Sequence, residues 1–284
     1  MLQLGDLTLH TIETGRFALD GGAMFGIVPK PLWERKIAPD ARNRIPMHMR
    51  CLLVEAGDRL VLIDNGLGDK YDVRFADLYA VDQSALELHA SLRRAGFAAE
   101  DVTDVVLTHL HFDHCGGSTR RKGDRLEVVF SNAVHHVQRD HWEWTKIPNP
   151  RERNSFLTEN LEPLGASGQL RFLQGRTTIL PGIEVFPVAG HTVGMQLVRV
   201  GEGRDTLVYV ADLLPTHAHL PPAWNMAYDL FPLETIREKA SFLAEVEAGG
   251  WKLFFEHDPT VEMAGLVRTE TGLQIDRPRS LDAF

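Results

Sequence analysis

Val105-Val106-Leu107-Thr108-His109-Leu110-His111-Phe112-Asp113-His114-Cys115-Gly116-Gly117 runs from a β-branched apolar segment straight into three histidines and a carboxylate packed within six residues. Neutral imidazole is the commonest protein ligand for a divalent transition metal, and a carboxylate suits the same ions. His109 and His111, two apart at the end of a strand, can point the same way. Asp113 and His114, just beyond in the turn, can face a second ion a few ångströms off. The spacing therefore predicts two ligand sets and two metals.

Working outward, other segments repeat the plan of a strand that ends on a candidate ligand. Ile183 to Val188 leads to Gly190-His191, Thr206 to Ala211 leads to Asp212, and Lys252 to Glu256 leads to His257. Loops at the carboxyl ends of strands are where layered α/β proteins gather function, because they vary without disturbing the core. Upstream, Cys51 to Val54 and Leu60 to Ile63 flank Glu55-Ala56-Gly57-Asp58-Arg59 and read as a hairpin. Ser84 to Ala95 reads as a helix, with a Ser84/Glu87 capping box, a Leu88, Leu92, Ala95 stripe and Gly96 as a stop. A second helix, about Glu234 to Glu247, carries Ile236, Ala240, Leu243 and Val246 on one side and should cover the sheet. Asp64, after Leu60 to Ile63, reads as a carboxylate that orients a ligand histidine through its other ring nitrogen.

Three stretches break this rhythm: about 21–49, rich in Pro, Met and aromatics; about 140–168; and about 213–233, with its prolines. They are expected to be loops or lids around the site within one domain spanning 1–284. Met24, Phe25, Trp33, Trp142, Trp224, Met226 and Tyr228 are the expected walls of an apolar pocket, with His219 the histidine expected to touch substrate. The same aromatic segments could equally form a homodimer interface. His135, His136, His141, His217 and His219 otherwise read as surface or lid histidines, and Cys115 as a small packing residue or a metal-proximal thiol.

Composition narrows the class. Hydrophobic content of 44% and charged content of 24% are those of a folded globular protein. A net charge of −9 with no basic run argues against nucleic acid. Met1-Leu2-Gln3-Leu4-Gly5-Asp6 lacks a basic start, and no long apolar run follows, so neither export nor membrane insertion is expected. Two cysteines are too few for a disulfide framework, which leaves the cytoplasm as the expected location.

The ordered series His109, His111, Asp113, His114, His191, Asp212 and His257 resembles the metallo-β-lactamase superfamily over roughly residues 50 to 257. The resemblance implies an α/β fold of the four-layer αββα sandwich type with a dinuclear centre. Carried over residue by residue, one metal takes His109, His111 and His191, the other takes Asp113, His114 and His257, and Asp212 bridges them. With only N and O donors, zinc comes first, with manganese, cobalt or iron also suited. Within the superfamily, His-Leu-His-Phe-Asp-His with Gly116-Gly117 looks like the acyl-homoserine-lactone lactonases. Gly22 to Lys30 looks like the N-terminal loop of lactonases and methyl parathion hydrolase-type enzymes. Small lactonases place a tyrosine three residues after the bridging Asp, a position that is Pro215 here, and Tyr228 is a substitute from the following loop.

The implied activity is a metal-dependent hydrolase that uses a hydroxide shared by the metals on a hydrophobic lactone or ester, or on phosphotriesters, with Asp113 as proton shuttle. Alternatives on the same scaffold are a thioesterase, which usually has a C-terminal substrate domain, a phosphodiesterase or nuclease, which wants a basic surface, and a secreted β-lactamase. A different class is iron redox chemistry of the dioxygenase or flavodiiron kind, whose ligand patterns are absent. A non-catalytic descendant is disfavoured by the intact series.

Overall fold

A computed structural model describes residues 1–84 and 86–281. The chain enters with strands β1 (Leu2–Leu4) and β2 (Leu7–Asp20), then helices α1 (Gly21–Phe25) and α2 (Lys30–Trp33). Strands β3 (Arg44–Ala56) and β4 (Arg59–Ile63) follow, then helices α3 (Val73–Tyr79) and α4 (Leu88–Arg94), β5 (Asp104–Val106) and the short helix α5 (Phe112–Cys115). A small hairpin, β6 (Thr119–Lys122) and β7 (Arg125–Val128), precedes β8 (Val134–Gln138), α6 (Arg139–Thr145), α7 (Thr158–Ala166) and β9 (Leu170–Leu173). The second half is β10 (Thr177–Leu180), β11 (Ile183–Val188), β12 (Met195–Glu202), β13 (Asp205–Tyr209), α8 (Pro232–Gly249), β14 (Lys252–Phe254), β15 (Met263–Thr269) and β16 (Gly272–Arg279).

Two seven-stranded sheets result, in the orders β1-β2-β3-β4-β5-β8-β9 and β10-β11-β12-β13-β14-β15-β16. Both faces of the central strands are buried, which is why these strands read as unbroken apolar runs rather than alternating ones. Leu52, Val54, Val61, Ile63 and Val106 point inward against Val185, Leu197, Leu207 and Phe254 of the other sheet. Their neighbours Cys51, Leu53, Leu60, Leu62 and Val105 point outward under Leu88 and Leu92 of α4 and Leu164 of α7. On the far side, Phe242, Leu243 and Val246 of α8 close the second sheet. This is the expected αββα sandwich, and β5, β11, β13 and β14 run toward the same edge.

Three expectations need correction. Residues 44–49 are not loop: they extend β3, paired with β2, and Ile45, Met47 and Met49 are buried while Pro46 is exposed. That is period-2 alternation, masked in the sequence by proline and methionine. The first long helix starts at Leu88, not Ser84. Glu87 is its N-cap and accepts from the backbone N–H groups of His89 and Ala90, while the Ser84 hydroxyl turns back to Asp82; Ala85 lies outside the described residues. Finally, the buried face of α8 is Thr235, Lys239, Phe242, Leu243 and Val246, rotated from the predicted stripe so that Ala240 is exposed. A hydrophobicity pattern would never place a lysine on that face.

Nor are the histidines of β8 on the surface. His136 Nε2 donates to Asp104 at 2.8 Å, and His135 is fully buried with neither ring nitrogen in hydrogen-bonding geometry. Burial, aided by neighbouring His136, pushes the His135 pKa down from 6.5 to about 4. The unfolded chain therefore takes up this proton first, and the stability present above pH 6.5 is lost as the pH falls toward 4. His135→Leu is expected to gain about 2 kcal/mol relative to wild type between pH 8 and pH 5, read from urea unfolding at each pH. A pH-independent difference between the two proteins would refute the assignment.

Candidate metal centre

Each of the four converging strands ends in a turn that delivers a ligand type. After β5, Thr108 is held by Asp64, which accepts from its backbone N–H at 2.7 Å and its hydroxyl at 2.6 Å. The motif then closes through α5 into Gly116-Gly117. A Cβ on Gly116 would stand 2.0 Å from the Leu67 carbonyl oxygen, and one on Gly117 2.3 Å from that of Asn65, so the pair permits backbone-on-backbone packing that no other residue allows.

At the shared edge, His109, His111, His191 and Asp212 bring one ligand atom each within 4.8 Å of one another, and Asp113, His114 and His257 form a second such group. Asp212 joins the two groups. Its Oδ2 lies 3.2 Å from His191 Nε2, 3.6 Å from His114 Nε2 and 3.8 Å from His109 Nε2, while Oδ1 lies 3.4 Å from His257 Nε2. Asp113 presents Oδ2 at 3.8 Å to both His114 Nε2 and His257 Nε2. All seven sequence-predicted residues are thus brought together.

The opposite nitrogen of every ring is committed to an acceptor. His191 Nδ1 faces Asp229 Oδ1 at 3.0 Å, His257 Nδ1 the His48 carbonyl at 2.8 Å, and His111 Nε2 the Glu152 carboxylate at 3.5 Å. His114 Nδ1 faces Glu256 at 2.9 Å and Asp64 at 3.1 Å. His109 Nδ1 sits 3.1 Å from the Thr108 hydroxyl, whose own proton goes to Asp64. Each outward nitrogen is placed to carry a proton, so each ring in its neutral, metal-competent form aims a lone pair inward. Two such pairs confront each other, His257 Nε2 with His114 Nε2 at 3.1 Å and His191 Nε2 with His111 Nδ1 at 3.2 Å. His109 Nε2 and Asp212 Oδ1 are buried with no hydrogen-bond partner. Opposed lone pairs and orphaned acceptors around one carboxylate are reconciled by cations, and the donor set fits divalent metal ions.

The protonation tendencies divide the rings: against burial, Glu256, Asp113 and Asp212 raise His114 well above its ordinary value, and Asp212 and Asp229 raise His191, so each of these two rings takes up a proton that a cation would displace. Burial and the surrounding imidazoles drive His109 well below its ordinary value. Burial opposes ionisation of Asp212, but His114 and His191 outweigh it and hold the carboxylate ionised. Burial and the adjacent Glu256 push Asp64 up to about 7, so one proton is shared among the groups behind His114.

Glu152, Asp229 and Glu256 carry no signal in the sequence; only Asp64 was legible there. His141 was also missed. Fully buried, it accepts from the Leu110 backbone N–H at 2.8 Å and donates to the Val193 carbonyl at 2.7 Å, tying the motif loop to the loop after His191. Cys115 is a packing residue, its thiol 3.4 Å from the Leu110 carbonyl and pushed up to about 12 by burial.

A cavity of about 230 Å³ opens onto the centre, lined by His111, Asp113, His191, Asp212 and His257. Leu19, Met24, Met47 and Met226 form apolar wall, and Tyr79, Tyr228, Arg151, Asn154 and Ser155 contribute polar groups. Of the expected pocket residues, Met24, Met226 and Tyr228 line it. Phe25, Trp33, Trp224 and His219 instead lie behind that lining, with Phe25 stacked between Trp33 and His219 at 5.2 and 4.7 Å. His219 cannot reach a substrate because Nε2 is committed to the Met24 carbonyl and Nδ1 to Thr216. Trp142 packs on Phe172 in the outer helix layer.

A family model described as the metallo-beta-lactamase superfamily matches residues 49–257. A probable metal-dependent hydrolase from Staphylococcus aureus superimposes with a TM-score of 0.89 at 30% identity, covering 98% of each chain. AidC, a dizinc quorum-quenching lactonase solved with a product bound, superimposes with a TM-score of 0.81 at 23% identity, covering 98% of this chain and 96% of its own. By sequence, an N-acyl homoserine lactonase from Bacillus cereus is 24% identical over 175 residues, 58% of this chain and 63% of that enzyme.

Asp229→Ala removes the acceptor that fixes His191. Divalent-metal affinity, measured by competition with a chromophoric chelator, is expected to fall about 10- to 100-fold with the circular dichroism spectrum unchanged. Undiminished affinity would show that Asp229 does not set the ring.

Proposed function

Because the chain belongs to the metallo-beta-lactamase superfamily, we propose that it is a metal-dependent hydrolase acting at a dinuclear centre on the carbonyl of a small lactone or ester with an apolar acyl group. The observation that carries this reading is the set of inward imidazole lone pairs around Asp212. His109, His111 and His191 would hold one ion, Asp113, His114 and His257 the other, and Asp212 would serve both. Bound there, divalent ions, zinc first among them, lower the pKa of water to about 7 and polarise a carbonyl oxygen.

The chain's own residues supply the rest. Asp212, with Oδ2 beside both His191 and His114 and Oδ1 beside His257, joins the two groups. Asp113, which turns Oδ2 to His114 and His257 and lines the cavity, would hold a proton and pass it to a departing alkoxide. Leu19, Met24, Met47 and Met226 offer an adaptable apolar wall for an acyl chain and exclude water beside it. Tyr228 supplies the hydroxyl that Pro215 cannot. It lines the cavity, and burial together with Tyr79, Asp20 and Asp113 raises its pKa, so the phenol keeps its proton as a donor. The names of the lactonase relatives support a lactone as substrate.

Metal analysis of protein grown in unbiased medium should return about two ions per chain. In a screen of acyl lactones, esters, phosphotriesters and β-lactams, lactone hydrolysis should dominate. Both His111→Ala and Asp212→Ala should lower it more than about 100-fold. Full activity in both variants, or in protein stripped by a chelator, would reject the mechanism.

A further inference from the structure

We propose that Lys239, remote from the cavity, is a positioning residue that builds the substrate wall: its ammonium is the centre on which segment 219–226 is folded, and through that segment it fixes Met24, Met226 and Tyr228. The inference rests on the hydrolase reading for its kinetic consequence and on geometry alone for its structural one.

Lys239 lies on the inner face of α8 and is 1% exposed. Its Nζ donates to the carbonyls of His219 at 3.0 Å, Pro221 at 3.1 Å and Trp224 at 3.0 Å, and to Asn225 Oδ1 at 2.7 Å. Three N–H donors serve four acceptors within seven residues of irregular chain, so no capacity is left for a carboxylate, and among the described residues none forms an ion pair with it. Burial pulls its pKa down to about 8 against the charge of Asp229, and it stays protonated at neutral pH. A compact ammonium with rotatable donors suits carbonyls arriving from several directions, which a planar guanidinium would not.

The segment held in this way is seated on α1. His219 Nε2 faces the Met24 carbonyl at 2.8 Å, and the Ala227 backbone N–H donates to the Ala23 carbonyl at 2.8 Å. A Cβ on Gly26 would meet the Asn225 carbonyl oxygen at 2.7 Å, so the two strips of backbone touch. Between these anchor points lie Met24, Met226 and Tyr228, three of the cavity's lining residues. Without the ammonium, the carbonyl of Pro221 keeps the Trp224 N–H, but those of His219 and Trp224 have no other donor among the described residues, and the segment must move toward water to satisfy them.

The test uses the full, metal-loaded chain. Lys239→Met keeps the volume and removes the charge. With hexanoyl homoserine lactone, KM should rise about 10-fold or more while kcat stays within about 3-fold and metal content is unchanged. Backbone amides of 219–228 should exchange faster with solvent, those of α8 unchanged. For Lys239→Ala, n-propylamine should restore both KM and slow exchange, and n-propanol should restore neither. Unaltered KM with only a lowered melting temperature, or rescue by the alcohol as well, overturns the proposal. If wild type hydrolyses no lactone, the functional reading fails, and exchange with its amine rescue still decides Lys239: unaltered exchange at 219–228 overturns it.

Discussion

Two pairs of imidazole nitrogens facing each other lone pair to lone pair across about 3 Å are the constraint on which this structure turns. Nothing in the rings themselves requires that arrangement. It is imposed from outside by acceptors that claim the far nitrogen of each ring: Glu152, Asp229, Asp64 with Glu256, the His48 carbonyl and the Thr108 hydroxyl. A buried cluster of that kind is unfavourable alone, since each unmatched polar atom costs about 1–3 kcal/mol. Cation binding offsets that cost, so metal affinity and folding stability are linked through the same atoms. The sandwich contributes by rigidity: β5, β11, β13 and β14 are anchored in a core buried on both faces, and their carboxyl ends cannot drift apart to relieve the repulsion.

The parts of the site legible in the sequence are those that local rules govern. His109, His111, Asp113 and His114 are dense enough to stand out, His191 and Asp212 follow runs rich in β-branched residues, and His257 follows the apolar run Leu253-Phe254-Phe255. The central strands were legible for the same reason, because burial on both faces leaves nearly continuous apolar stretches. Where the pattern was hidden, a specific residue hid it. Pro46 and three methionines or isoleucines disguised the far half of β3, and Lys239 displaced the apparent stripe of α8 by one position.

The acceptors behind the ligands were not legible because their meaning is wholly tertiary. Glu152 sits in an irregular polar segment, Asp229 in a proline-rich one and Glu256 at a strand end, and each is of a type that surface loops contain in abundance. His141 illustrates the difficulty: as a helix residue it has no local signature, and it acts only because Leu110 and Val193 reach it from two different loops. Aromatic content misled in the other direction. Phe25, Trp33 and Trp224 look like pocket walls by composition, whereas the lining is methionine-rich and the aromatics form the stacked layer that supports it.

That layering gives the insertions a double duty. The segment that carries Met226 and Tyr228 to the cavity also carries Asp229 to His191, and its Leu230 and Phe231 backbone N–H groups donate to the carbonyls of His191 and Gly190. Across the opening, the loop that brings Arg151, Asn154 and Ser155 to the cavity holds Glu152 against His111 and accepts from Thr192 at 2.9 Å. Arg151 donates to the carbonyls of Ala227 and Asp229, closing the circuit between the two. Pocket shape and ligand orientation are therefore set by the same short segments. A substitution that shifts residues 229–231 or 152 also disturbs an imidazole, whereas one that loosens only the chain before 229 reshapes the wall and leaves Asp229, Leu230 and Phe231 tied to His191 and Gly190.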